Sequence, residues 1–262
     1  MRRTNWARAC ALAWGLLAAA ALGCAHTPPR VDPTSLRLSM ARQLIEREDW
    51  RGAFEVLERL YRDRPDDAEV LTLRGIVYRE TGLLAEARVE LEAATQKDPQ
   101  SAAAVSALAI LLDQIGEHEQ AGQLHRRAVE LEPRNAAYLN NLAFSSFVRG
   151  RLEEAIAGFE EALRIEPMHP RIRNNLGFAC ARAGQLEKAA EHFSRAGTPA
   201  QTRHNLAYAH ELAGDLARAY ELYAQAVRLA PECELSRRGL EQVASRLGRQ
   251  LPPDLAEARA HP

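Results

Sequence analysis

Neither sign of charge prevails in this chain: 34 Lys and Arg stand against 35 Asp and Glu. The basic excess by which proteins hold nucleic acid is therefore missing. The four cysteines, Cys10, Cys24, Cys180 and Cys233, include no CxxC pair and no Cys/His cluster at metal-ligand spacing, so nothing indicates a disulfide framework or a structural metal. Cys180 and Cys233 could join only if the fold brought them within disulfide reach. Catalytic signatures are absent as well: there is no HExxH, no GxxxxGK[ST] and no GxSxG. Carboxylates are interleaved with arginines, as Glu86 and Glu90 are with Arg88, which marks solvated helix faces. His118, His125, His169, His192, His204 and His210 are scattered, and read as solvated or groove-lining. No enzyme activity, cofactor or metal is expected. β-Branched residues are sparse while Ala, Leu, Glu and Arg dominate, a composition that favours helices.

Also missing is an apolar run long enough to span a bilayer. The run from Ala9 to Leu22 holds 14 residues, where a spanning helix takes about 20. It follows Arg2, Arg3 and Arg8 as the apolar region of a secretory signal follows its basic region. It ends in Ala21-Leu22-Gly23-Cys24, which resembles the lipobox of bacterial lipoproteins, with Leu at −2 and Ala at −3 departing slightly from the commonest form. That resemblance implies a signal peptide over 1–23, a diacylglyceryl group on the Cys24 thiol, and Cys24 as the new N-terminus. An ordinary signal peptide with a chance cysteine is the other reading. Without Arg2, Arg3 and Arg8 the remainder carries 31 basic and 35 acidic residues, a net charge of −4. Each acyl chain buries its methylenes at ~0.8 kcal/mol apiece, so two or three chains anchor stably. Ala25 follows the cysteine, and by the same resemblance that implies lipid anchoring in the cell envelope, at the periplasmic face of the outer membrane. Residues 24–33, with Pro28, Pro29 and Pro33, read as the acylated end and an extended tether.

What the chain does have is a repeat. Pro65, Pro99, Pro133 and Pro167 are 34 residues apart, which is the tetratricopeptide period. Ala53, Ala87, Ala121 and Ala155 keep the same register, as do Leu60, Ala94, Ala128 and Ala162, and the turn glycines Gly82, Gly116 and Gly150. The pattern continues through Leu176-Gly177, Gly184, Ala189 and Phe193, then through Leu206-Ala207, Gly214, Ala219, Tyr223 and Pro231. Pro231 stands 64 positions after Pro167 instead of 68, so the fifth unit has lost about one helical turn near Gly197-Thr198-Pro199. The units read as 34–67, 68–101, 102–135, 136–169, 170–199 and 200–233. A capping helix is expected over 234–248 and a disordered tail over 249–262. Small residues, Gly75, Ala109, Ala143, Gly177 and Ala207, recur where the two helices of a unit must approach closely. Bulky ones, such as Tyr78, Leu91, Phe159 and Tyr223, fill the space between units.

The spacing thus resembles the tetratricopeptide-repeat (TPR) family. That resemblance implies an all-α, right-handed superhelical solenoid of about six helix-turn-helix units plus a C-terminal capping helix, with the first helices lining a concave groove. Unit positions 2, 6, 9 and 13 share that face. In the last three units position 6 is Asn141, Asn175 or Asn205, and position 9 is Phe144, Phe178 or Tyr208. Asn174 and His204 precede the second and third of these asparagines, and Arg171 and Arg182 occupy positions 2 and 13 of the fifth unit. An amide both donates and accepts, so a row of asparagines can pair with a peptide backbone whatever its side chains, while aromatic rings add apolar area. On that reading Asn175→Ala keeps the fold and weakens a partner. The other reading is local: the asparagines satisfy nearby backbone groups and the rings pack on the next helix. The first units lack the pattern, with Leu73 and Ala107 at position 6.

A lipobox joined to these repeats resembles two groups of envelope proteins. The stretch from Asn174 to Asp215, NNLGFACARAGQLEKAAEHFSRA, a shortened connector, then HNLAYAHELAGD, is similar to the last units of the TPR lipoprotein of tight-adherence (Flp) pilus assembly, TadD. The secretin pilotin of type IV pili is a more distant resemblance. These imply a non-catalytic, outer-membrane-anchored scaffold that binds a protein or peptide in its groove, with a secretin or another pilus assembly component as partner. A general envelope scaffold unrelated to pili is the alternative.

Overall fold

The computed structural model describes residues 33–256, and these are all-α. The leader, Cys24, the tether up to residue 32 and residues 257–262 lie outside the described residues. Twelve helices pack as six antiparallel pairs: α1 (Pro33–Glu46) with α2 (Trp50–Asp63), α3 (Ala68–Glu80) with α4 (Leu84–Lys97), and α5 (Ala102–Gln114) with α6 (His118–Leu131). The series continues as α7 (Ala136–Val148) with α8 (Leu152–Ile165), α9 (Pro170–Arg182) with α10 (Leu186–Ala196), and α11 (Pro199–Leu212) with α12 (Leu216–Leu229). Two further helices follow, α13 (Glu234–Leu247) and α14 (Pro253–Ala256). None of the described helices is long and apolar enough to cross a membrane.

The repeating residues explain the helix ends. Each of Pro65, Pro99, Pro133, Pro167 and Pro231 stands two residues beyond the end of a second helix, where a residue without an N–H cannot continue the ladder. Two residues further, Asp67, Ser101, Asn135 and His169 each accept a backbone N–H of the helix they open, filling valences a helix start leaves open. Between the two helices of a unit the chain reverses through Gly82, Gly116, Gly150, Gly184 and Gly214, at φ of +76° to +86°. A Cβ strains that conformation, and glycine has none.

Packing follows the same frame. Position 20 is always alanine (Ala53, Ala87, Ala121, Ala155, Ala189, Ala219), and every one is fully buried. Position 24 holds the bulky core residue: Leu57, Leu91, Phe159, Phe193 and Tyr223 are all buried. The glycines at position 8 are close-approach sites. A Cβ on Gly75 would lie 2.5 Å from Leu91 Cγ, and one on Gly177 would lie 2.5 Å from Phe193 Cε1. Helical glycine costs ~1 kcal/mol relative to alanine, and here the contact with position 24 offsets it.

The shortened fifth unit is visible as an 11-residue α10, against 14 residues in the other second helices. Where the missing turn would stand, Thr198 caps α11 at once, with Gln201 Oε1 accepting from Thr198 N in return, a reciprocal capping box.

The described part of the expected tail, residues 249–256, departs from disorder. Leu255 is buried, Arg228 Nε donates to Asp254 at 2.8 Å, and Tyr220 Oη donates to the Gln250 carbonyl at 2.8 Å. The polar composition of 249–262 concealed the reason, which is that Leu251 and Leu255 cover apolar surface of the last unit. Cys180 and Cys233 are free thiols, Cys180 buried.

Candidate functional site

A cavity of about 660 Å³ opens on the first helices of the last three units. Phe144 and Phe147 of α7 stand on one side, Tyr208 and Leu212 of α11 on the other, with Phe178 and Arg182 of α9 between them. The rings touch one another. Phe178 meets Phe193 edge-on with centroids 4.8 Å apart and Tyr208 at 6.0 Å, while Phe144 and Phe147 are 6.0 Å apart. Phe144, Tyr208 and Leu212 are nonetheless exposed, at 45 %, 44 % and 59 %. These large side chains stand half in water, side by side on one face. Their meeting follows from the repeat, since position 9 recurs on the same face of each first helix.

The asparagines also join neighbouring units. Asn141 Nδ2 donates to Ser106 Oγ (3.3 Å), Asn175 Nδ2 to Asn140 Oδ1 (2.9 Å), and Asn205 Nδ2 to Asn174 Oδ1 (2.6 Å). In every case the position-6 amide reaches the position-5 side chain of the preceding unit. His204, also at position 5, continues the series: Nδ1 lies 3.0 Å from Ser236 Oγ of α13, and its ring packs edge-on against Tyr223 at 5.5 Å. Burial holds the His204 pKa below the ordinary histidine value. The expected asparagine row is thus a seam between units. One N–H of each amide is used in that seam, while Asn175 and Asn141 still line the chambers of the groove; His204 and Asn174 line no part of the cavity. Arg182 is also built in, with Nη1 donating to the Phe147 carbonyl (2.9 Å) and the guanidinium 4.7 Å from the Phe147 ring centre. Arg171 is exposed at the rim.

Phe144 and Asn175 also border a second, smaller chamber of about 270 Å³, which is lined as well by Asn141, Arg171, Asp113 and His125. Sequence reasoning missed Asp113 and named His125 only among the scattered histidines, as solvated or groove-lining. His125 is 1 % exposed, so it is not solvated, and it borders this chamber from the core. It occupies position 24, where the other units place a bulky core residue, and that register was the signal that could have found it. Its Nε2 lies 3.1 Å from Asp113 Oδ2, and Nδ1 is buried without a partner. His118 Nδ1 (2.9 Å) and Ser145 Oγ (3.3 Å) complete the shell around Asp113 Oδ1. Burial pushes the Asp113 pKa up, but bonds from His125, His118 and Ser145 outweigh it and hold the carboxyl below its ordinary value. Ser145 faces the carboxylate, so this cluster surrounds a charge with hydrogen-bonding side chains. Among the described residues no group could hold a metal ion. Phe147, at position 12, was missed too, because it lies outside the positions taken as the groove face.

Comparisons with known proteins match this architecture. Tetratricopeptide-repeat models match residues 44–111, 104–137 and 200–233, and a TPR repeat model matches 146–184, together more than half of the chain. No curated protein matches the chain. Among solved structures, Pseudomonas aeruginosa PilF shares 17 % identity over 80 % of this chain and 97 % of its own, with a TM-score of 0.62. The Cut9–Hcn1 hetero-tetramer of APC/C shares 20 % identity over 84 % of this chain and 44 % of its matched chain, at 0.66. MamA from Desulfovibrio magneticus RS-1 shares 22 % over 63 % and 94 %, at 0.51. At these identities the likeness is one of fold.

Proposed function

On the premise that this chain is a tetratricopeptide-repeat protein, we propose that it is an outer-membrane-anchored scaffold lipoprotein whose C-terminal groove captures a protein partner during Flp or type IV pilus assembly. The single observation that carries the docking part is the pair of exposed rings, Phe144 and Tyr208, on either side of the half-buried Phe178 around one apolar cavity. Apolar area of that kind gains from being covered, and aromatic anchors supply much of the energy at protein interfaces. The groove contributes shape and apolar contact and performs no bond chemistry.

The anchoring part rests on the lipobox ending at Cys24, and the pilus part on the resemblance of Asn174 to Asp215 to the tight-adherence lipoprotein. Metabolic labelling with a radioactive fatty acid tests the anchor: label should enter the wild type and be lost in Cys24→Ala. A strain lacking the gene tests the role. Surface-sheared pilin or heat-resistant secretin multimers should fall, and loss of multimers in particular would point to secretin as the partner. If both persist, the pilus role fails and a general envelope scaffold takes its place.

A further inference from the structure

Charge is spread unevenly along the groove. Among the described first helices, α9 alone carries basic residues and no acidic one: Arg171, Arg173 and Arg182. Its neighbour α7 has no charged residue. The acidic residue of α11, Glu211, is taken up by the Tyr223 hydroxyl (3.0 Å) and by Arg246 (2.9 Å). In the N-terminal units the arginines of first helices are answered by carboxylates: Arg37 by Asp63, Arg42 by Glu69, Arg74 by Glu58 and Glu90, and Arg79 by Glu80. Arg173 is buried and turns to the Pro167 carbonyl. Arg171 and Arg182 have no carboxylate partner among the described residues, and both line the groove. Asp113, in the same chamber as Arg171, is instead enclosed by His118, His125 and Ser145.

Arg182 is also held in place, by stacking on Phe147 and by one N–H to its carbonyl. The rest of its planar fork is unspent and stands beside the apolar cavity. A guanidinium fixed in advance loses little freedom when a carboxylate meets it, and a charge-assisted bond next to apolar surface is stronger than one in open water. The two chambers join through Phe144 and Asn175 across helices of successive units, so the site suits an elongated occupant more than a compact small molecule.

We propose, building on the reading of this groove as the docking site, that its occupant is an acidic protein segment whose bulky apolar side chains enter the chamber between Phe144 and Tyr208 while flanking Asp or Glu side chains pair with Arg182 and Arg171. The basic and apolar parts act together. An apolar segment without acids leaves both guanidinium groups unanswered, and an acidic segment without apolar side chains leaves the rings in water.

The test uses the full chain and three fluorescent peptides with amidated C-termini, each carrying the same two leucines and one phenylalanine flanked by glutamate, glutamine or lysine. In anisotropy titrations the glutamate peptide should bind about tenfold tighter than the glutamine peptide, with the lysine peptide weakest. Arg171→Gln, which disturbs no contact within the protein, should reduce the glutamate advantage, and Arg182→Gln should reduce it further. Raising NaCl from about 0.05 M to about 0.3 M should narrow the gap. Equal binding of the glutamate and glutamine peptides would overturn the acidic-segment proposal and leave the docking groove standing, provided Phe144→Ser weakens both. No binding of any peptide, or binding that Phe144→Ser and Tyr208→Ser leave untouched, would overturn both. Self-association in sedimentation that the same two variants abolish would assign the groove to a second copy, and would overturn the acidic segment as occupant.

Discussion

In the second and third units position 9 is Ile76 or Ile110, position 6 is Leu73 or Ala107, and position 13 is Glu80 or Gln114. In the fifth and sixth units the same positions hold Phe178 or Tyr208, Asn175 or Asn205, and Arg182 or Leu212. The backbone plan is the same in both halves, with the same buried alanines and turn glycines. The N-terminal half uses charge to lock itself. Arg74, nearly buried, lies 3.6 Å from the Tyr61 ring centre and pairs with Glu58 and Glu90. The C-terminal half locks its units with side-chain amides instead, and keeps aromatic rings exposed. A repeat fixes where positions point. The residues placed there decide whether a unit closes on its neighbour or stays open to a partner.

The largest expected effect separates the halves by binding. The double variant Phe144→Ser/Tyr208→Ser should weaken partner affinity by ~2–3 kcal/mol, since two exposed anchors at an interface are lost. Its urea midpoint should barely move. Ile76→Ser should leave affinity unchanged, and calorimetric titration of both would show whether docking respects the division.

Next comes the junction. Asp113→Ala removes the shared acceptor of His125, His118 and Ser145, and should lower unfolding free energy by ~1–3 kcal/mol by leaving buried donors unpaired. His125→Leu restores the type of residue found at this position in the first two units, and should cost less than Asp113→Ala in the same urea melts. A larger loss for His125→Leu would show that the histidine holds the halves together by more than its bond to Asp113.

The amide seam gives a smaller effect. Asn175→Ala should lower stability by ~0.5–1.5 kcal/mol, contrary to the sequence expectation that only binding would suffer. An unchanged melting midpoint with weakened binding would return this asparagine to the partner.

The smallest effect is on acid stability, and it has opposite signs at the junction and within the second unit. Asp113 titrates below its ordinary value, so its contribution is present above the usual carboxylate range and is lost as pH falls through its folded pKa. Glu90 is raised, by burial first, with Arg74 opposing and Glu58 adding to the rise. Its ionisation therefore disfavours the fold, and this penalty is relieved as pH falls. Relative to wild type, Asp113→Asn should flatten the loss of stability at acid pH, and Glu90→Gln should steepen it. Urea melts between about pH 3 and about pH 6 would compare the slopes.

Much of this was legible from residue spacing. Register, turn glycines, alanine packing and close approach at the small residues of position 8 all follow from one period, because each is dictated by backbone geometry; that Gly177 meets Phe193, and not the repeated alanine, does not. The aromatic column was legible for the same reason. The destination of the asparagine donors was not, because the pattern placed position 6 on a face without showing that position 5 of the preceding unit lies within hydrogen-bond reach. The repeated doublets Asn140-Asn141 and Asn174-Asn175 were the available sign. The order of residues 249–256 was hidden because two leucines in a polar stretch reveal nothing until the surface they cover is known.

The most direct test of the central claim, that the C-terminal groove is where the partner docks, is photocrosslinking in the intact envelope. A photoreactive side chain would be placed at Phe144 or Tyr208, and at Ile76, outside both chambers, for comparison. The account predicts one discrete crosslinked product from Phe144 and Tyr208 and none from Ile76. Crosslinks of equal yield from all three positions, or from Ile76 alone, would contradict it.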